Sequence, residues 1–376
     1  MMILLFIFSS GCSQTRTNQG PVLPNGQSTS AVADNADQNQ VTLTPAITPI
    51  FTPTVAKTLV QLLVPYTKTS IWNTPIGSSP RYDPHSAEMI TNLVFAHDGK
   101  IITPGTFNYP VYFADANTPR WNIPCKIYKC TVASPNGEVI RTDMVEDVPI
   151  LPDAQPAPDT DGRMIIIDTV TFAEYDLWRA ERVETGWSAG NVSVYSILWD
   201  GTPTRHSSRG AGVPSYAGLV RPWEIQQGRI EHVLAFGYTE PAEGKCVFPA
   251  SKTDGVSRLP FAIPEGAHLQ LDPSLTEKDF EQMGLDRTGR IIARALQEYG
   301  MILVDHSGSF KIYLEDLANN PYAKQKWTDP ELNLSTETLS SIPYTSFRVL
   351  ELPPGYWGSS ENTVYHGKCL TFSGIP

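Results

Sequence analysis

The sequence predicts an all-β fold with a few helices: an antiparallel β-sandwich or jelly roll. One helix is expected before the sandwich, and a helix plus hairpin near the C-terminus. Three observations predict it. The 376 residues include 32 prolines and 27 glycines, which punctuate the chain into short pieces. Apolar residues alternate with polar ones over 4–8 residues in most of those pieces. Turn signals recur between them at the spacing of strands that pair in sequence order. The net charge of −11 argues against a nucleic-acid partner. No internal repeat is present, and one domain is expected over residues 57–376, as a monomer.

The chain opens MMILLFIFSSGCSQ, an apolar run, small residues and then Cys12. This resembles a bacterial lipoprotein signal, in which the cysteine is lipidated and becomes the mature N-terminus. No basic residue precedes the run, and Ser9 stands where leucine is usual. The run is too short to span a bilayer. Residues 1–12 are thus expected to be a signal with lipidated Cys12, placing the protein outside the cytoplasm, lipid-anchored at the envelope or secreted. Residues 13–56 are rich in Ser, Thr, Asn, Gln, Pro and Ala and cannot bury enough apolar surface to fold. They read as a tether.

With Cys12 used, Cys125, Cys130, Cys246 and Cys369 remain, an even set that permits disulfides in three connectivities. Cys125 and Cys130 are close enough for a local bridge, and Cys246 with Cys369 would tie the C-terminal tail to the body.

Thr58 to Val64 is a strand candidate. Asp83-Pro84 opens a helix, because aspartate caps and proline suits the first turn, with Met89, Ile90, Leu93 and Val94 on one face. FNYPVYFAD, CKIYKCTV and EVIRTDM are short β runs. Asp147 to Gly162 is a crossing loop. MIIIDTV, EYDLWRA, NVSVYSILW and RIEHVLAFGY follow as the central strands. Ser274 to Glu277 matches a capping box, and Asp286 caps a helix carrying Ile291, Ile292, Ala295 and Leu296 that stops at Gly300. MILVD then pairs with FKIYLED as a hairpin.

Candidate site residues come from strand alternation. In EYDLWRA, Glu174, Asp176 and Trp178 share one face. Two carboxylates beside an indole suit glycoside hydrolysis, with acid, base or nucleophile from the acids and a stacking face from the tryptophan. In GRIEHVLAFGY, His232 shares a face with apolar residues and is a core histidine or a general base. Trp187, Arg205 and Arg229 are further candidate substrate contacts. Asp159, Asp161 and Asp168 hold oxygens that calcium could use, although the spacing fits a turn better. The Gly/Ser-rich loop Thr204 to Gly218 lacks the order of a phosphate loop.

The Glu174-x-Asp176 strand resembles part of the active-site strand of laminarinase-type glycosidases with a concanavalin-like fold. Trp178 and Arg179 stand where that family has its third carboxylate. The phrases WNTPIG, YDPHSAEMI, GLVRPWEI, GRIEHVLAF, FPASKTDG, IPEGAHLQLDPSL and GRIIARALQEYGMILVDHSG resemble an uncharacterised family of secreted bacterial and fungal β-rich proteins. That resemblance spans Trp72 to Asp316 and implies secretion and one domain. The expected function is action on extracellular polysaccharide as a glycoside hydrolase or polysaccharide lyase. The alternative is a glycan-binding or cell-surface lipoprotein without catalysis.

Overall fold

The computed structural model describes Leu62 and residues 64–95, 101–134, 138–203, 208–358, 363–364 and 367–371. All belong to the second of two compact units, residues 51–376. Cys12, the signal segment, the 13–56 tether and Arg205 lie outside the described residues.

The strands in chain order are β1 (Val111–Ala114), β2 (Arg120–Pro124), β3 (Cys130–Ala133), β4 (Val139–Thr142), β5 (Met144–Pro149), β6 (Met164–Asp168) and β7 (Ala173–Trp178). Then come β8 (Glu181–Val183), β9 (Gly186–Ser188), β10 (Asn191–Ser196), β11 (Leu234–Tyr238), β12 (Lys252–Thr253) and β13 (His268–Leu271). The last are β14 (Met301–His306), β15 (Lys311–Ile312), β16 (Phe347–Val349), β17 (Thr363–Val364), β18 (Gly367–Lys368) and β19 (Leu370–Thr371). Among the described residues, the α-helices with defined bounds are α1 (Ser86–Phe95), α2 (Pro222–Gln227), α3 (Glu277–Gln282) and α4 (Arg287–Glu298).

Two sheets form a sandwich. One has six strands, β1-β6-β7-β10-β3-β4, and the other five, β15-β11-β14-β13-β16. Val111, Ile165, Ile167 and Tyr195 from the first pack against Ala235, Ile302 and Val304 from the second, with Tyr313 just after β15, in one apolar cluster. The outer face of the five-stranded sheet (Phe236, Leu269, Met301, Leu303) is covered by Met89 and Leu93 of α1 and Ile291, Ile292 and Leu296 of α4. The outer face of the six-stranded sheet (Tyr112, Met164, Ile166, Leu177, Val192) is covered by Ile123 of β2, Val145 and Val148 of β5 and Trp187 of β9. With both faces covered, the central strands are buried along their whole length, as MIIID of β6 and LAFGY of β11 are.

The pairing corrects the antiparallel expectation. β1–β6, β10–β3 and β11–β14 are parallel, so both sheets are mixed. The C-terminal hairpin is also corrected. β14 and β15 do not pair with each other; β11 lies between them, parallel to β14 and antiparallel to β15. A fully buried strand offers hydrogen bonds on both edges, and β11 takes both neighbours. Of the strand expected over Thr58 to Val64, only Leu62 and Val64 are described, and neither is in a strand.

Helix ends follow local chemistry. Asp286 caps α4, accepting from Gly289 N at 2.7 Å. Chain reversal after α4 needs Gly300, whose φ is +72° and whose added Cβ would lie 2.4 Å from Leu269 O. The cap of α3 is Thr276 with Asp279, in place of Ser274 with Glu277. Both disulfides form in the expected pairing, with Cα–Cα distances of 5.7 Å for Cys125–Cys130 and 5.9 Å for Cys246–Cys369. They are compatible with export. Among the described residues, no helix is long and apolar enough to cross a membrane.

One histidine makes the fold acid-sensitive. Burial holds His268 down at about 4, with Nε2–H donating to Tyr299 O at 2.7 Å. A depressed folded pKa means this stability is intact above the unfolded value of 6.5 and is lost as pH falls through 4. The loss is about 3 kcal/mol at most. Urea titrations of wild type and His268→Gln from pH 7 to pH 4 should diverge, the variant losing less; parallel curves would remove His268 as the cause.

Candidate functional site

A cavity of about 560 Å³ opens at one edge of the sandwich, where β7 and β10 of the six-stranded sheet meet the ends of β14 and β15. Its wall carries an unusual density of charge for a recess between two sheets, including Asp161, Arg163, Asp176, Arg209, Asp305 and Lys311.

The alternation of β7 places its three singled-out side chains along a gradient. Glu174 is wholly buried, Asp176 lines the cavity and Trp178 stands half-buried at its edge. The other face of β7, Tyr175 and Leu177, packs into the outer cluster. Asp176 Oδ2 accepts from Ser208 Oγ at 2.5 Å and from Ser215 N at 2.8 Å. Ser208 Oγ also lies 2.5 Å from Ser215 Oγ. Asp176 Oδ1 is buried and has no hydrogen-bond partner among the described residues. Glu174 Oε1 accepts from Tyr216 N and Oε2 from Tyr66 OH, each at 2.8 Å. Burial first, and then the neighbouring Asp176 charge, push Glu174 well above the usual carboxylate range.

Across the cavity, Asp305 ends the apolar run of β14. Its Oδ1 accepts from Gly210 N at 2.9 Å, while Arg163 and Tyr313 OH each approach Oδ2 at 3.4 Å. Burial raises Asp305 to about 6; Arg163 opposes the rise and Asp254 adds to it. Lys311 sits between Phe310 and Ile312 and donates to Thr106 O at 2.7 Å and Phe107 O at 2.8 Å. Burial lowers it to about 7. Cations and phenols interleave here: Arg209 lies 5.1 Å from the Tyr109 ring centre and 5.2 Å from that of Tyr313, and Lys311 lies 5.3 Å from Tyr313.

At the rim, Trp178 stacks on Tyr128 with centroids 5.8 Å apart and planes 27° apart. Arg179 lies over the indole at 4.6 Å, and the indole nitrogen donates to Asp161 Oδ1 at 3.0 Å. The result is a fixed aromatic surface with polar groups at its edge.

No known protein family, curated protein or solved structure matches this chain.

The remaining expected residues lie apart from this cavity. His232 precedes β11 and lines a second cavity of about 220 Å³, with Tyr66, Trp72, Arg221 and Glu224. Its Nδ1 faces Val233 O at 2.9 Å and its Nε2 faces Glu224 Oε1 at 2.8 Å. Both ring nitrogens are committed to oxygens, which leaves none for a substrate. Trp187 is buried in the outer cluster, with Arg182 over its ring. Arg229 is exposed and paired with Glu231 at 3.0 Å.

Asp159 and Asp161 stand in the turn that their spacing favours. Asp159 caps its own turn through Asp161 N and Gly162 N, and Asp168 is paired with Arg120 at 2.9 Å. Among the described residues, one set of three carboxylates converges: Asp254, Glu265 and Asp305, with ligand oxygens within 4.8 Å of one another. Buried Lys252 feels the charge of all three, so a counter-cation is built into the fold there, and the set suits a lysine better than a metal ion.

Sequence reasoning missed Asp305, Lys311, Arg163, Tyr109 and Tyr313. A signal existed: Lys311 and Asp305 are charges inside or ending apolar strands, which an ordinary solvated surface does not explain.

Proposed function

We propose that the protein is an exported carbohydrate-active enzyme that hydrolyses a polysaccharide in the 560 Å³ cavity, with Asp305 as general acid and Asp176 as the second carboxylate. One observation carries this reading: two carboxyls in unlike surroundings line one recess. Asp305 is held at about 6 by burial, so it keeps a proton to give in mildly acidic conditions where an ordinary aspartate has lost its own. Asp176 receives two donors on one oxygen. Environments that set two acids apart are how one site runs acid and base chemistry together. The Trp178–Tyr128 surface supports a sugar ring at the entrance. His232 and Trp187 are not part of this mechanism, and Glu174 acts behind it.

An elimination is the second reading, favoured by Lys311. An amine held at about 7 beside Tyr313 can take a proton from a sugar carbon. Incubation with a panel of polysaccharides separates the outcomes. New reducing ends without ultraviolet absorbance are expected. Absorbance from an unsaturated uronate would replace hydrolysis with elimination, and retention on the glycan with neither signal would reduce the protein to a binding module.

The wider reading belongs to the same proposal. It comprises a lipid anchor on Cys12 at the cell envelope, membrane contact through that lipid, a monomer without nucleic-acid partners, and the likeness to the secreted β-rich family. The concanavalin-like jelly-roll description and the laminarinase-type strand stand here too; the parallel strand pairs weigh against the first.

A further inference from the structure

We infer that Glu174 is a neutral acid that donates its proton to Asp176 Oδ1 and so fixes that carboxylate in the cavity wall. It is a positioning residue, sealed from substrate. The inference rests on the reading above only for what Asp176 is used for; the bond itself is argued from the burial of Glu174 and the partnerless Asp176 Oδ1.

Glu174 and Asp176 are two residues apart on β7, so their side chains leave the strand on the same face. Glu174 is 0 % exposed, and among the described residues no lysine, arginine or histidine forms an ion pair with either acid. Both Glu174 oxygens accept from neutral donors, Tyr66 OH and Tyr216 N. Asp176 has one oxygen with two donors and one buried oxygen with none. Two neighbouring carboxyls with no cation between them cannot both be charged in such a place. A single proton resolves both problems, because it removes one charge and gives the orphaned oxygen its donor. The proton belongs on Glu174, the more deeply sealed of the two, where burial and the Asp176 charge already favour the neutral form.

The arrangement also explains the loop around Ser215. Consecutive backbone amides, Ser215 N and Tyr216 N, take one carboxyl each. Tyr66, the donor to Glu174, lines the second cavity. A single hydrogen-bonded line therefore runs from one cavity to the other through the pair.

Infrared spectroscopy of the intact protein at neutral pH tests the proton directly. The spectrum of Glu174→Gln should lack one protonated-carboxyl band that wild type shows. That band should persist but shift in Asp176→Asn, whose amide oxygen is a different acceptor. A Glu174→Gln spectrum with no band missing, or an unshifted band in Asp176→Asn, overturns the inference, and the two variants fail independently if one does not fold. The kinetic arm uses the polysaccharide that the panel identifies. Glutamine keeps a donor and the same charge as a neutral acid, so Glu174→Gln should leave the acidic limb of the pH–rate profile in place. Glu174→Leu removes the donor and should lower turnover roughly 10²-fold. An acidic limb displaced to lower pH in Glu174→Gln would mean that a negative charge was removed, and the inference fails. If no polysaccharide is cleaved, the hydrolase reading falls while the infrared result stands by itself.

Discussion

Asp305→Asn should lower turnover of the cavity's substrate by about 10²–10⁴-fold, the range for losing a positioned general acid, while the folded protein becomes no less stable at pH 8. The two halves of this expectation come from one cause. Asp305 is raised to about 6 because the fold buries it. A raised folded pKa means its contribution is fully present below the unfolded value near 4 and is lost as pH rises through 6. At pH 8 the native carboxylate is therefore an unfavourable charge, offset in part by Arg163 at 3.4 Å. Asparagine retains an acceptor for Gly210 N and removes the charge. It also removes the only proton the side chain could deliver. Wild-type activity should fall as pH rises through about 6, following loss of that proton. Kinetics and thermal melts on the same preparations decide the matter. A variant with near wild-type turnover would take Asp305 out of the chemistry, and one that melts far lower would make it a structural acid.

Loss of the Cys246–Cys369 bridge should produce the largest stability change of any single covalent alteration here. The bridge closes a loop across 123 positions, whereas Cys125–Cys130 closes one across 5. Chain-entropy arguments assign about 5 kcal/mol to the long loop and about 2 kcal/mol to the short one. The long bridge has a second consequence. It holds β19 alongside β12, with Lys252 opposite Leu370. Lys252 donates to Arg209 O at 2.5 Å and faces Asp254, Glu265 and Asp305. Cys246→Ser/Cys369→Ser should therefore lower the melting temperature and weaken ligand binding in the cavity, whereas Cys125→Ser/Cys130→Ser should do neither to the same degree. Equal melting shifts for the two double variants would contradict the loop-length argument.

How much of this was legible in the sequence depends on what alternation can report. It tells which face a residue takes, and in Ala173–Trp178 Asp176 and Trp178 do line the cavity while Tyr175 and Leu177 pack into the outer cluster. It does not tell which strand lies alongside. β11 between β14 and β15 is a choice made by hydrogen-bonding edges far apart in the chain, and nothing local to MILVD or FKIYLED encodes it. Alternation also left His232 open between a core histidine and a general base. Ile230, Leu234 and Phe236 do share one apolar cluster, but the strand begins only at Leu234, so the histidine is free of its alternation and turns toward Glu224. The cavity escaped notice because its wall is assembled from residues near 109, 161, 176, 209, 254 and 305. Asp176 was identified because its neighbours in sequence made a pattern; Asp305 stands by itself after four apolar residues and gains its meaning only from Arg163, Gly210 and Tyr313.

The two ends of the described body are locked to each other. Asp83 N donates to Val349 O, Glu351 N to Arg81 O, and the Trp357 indole reaches the Asp83 carboxylate at 3.2 Å. During synthesis, the residues around Asp83 leave the ribosome more than 260 positions ahead of these partners. A nascent chain that stops short of Val349 leaves the second edge of β13 without its partner strand and the start of α1 without its anchor. The contacts that close this body therefore form only once Val349 and Trp357 have been made.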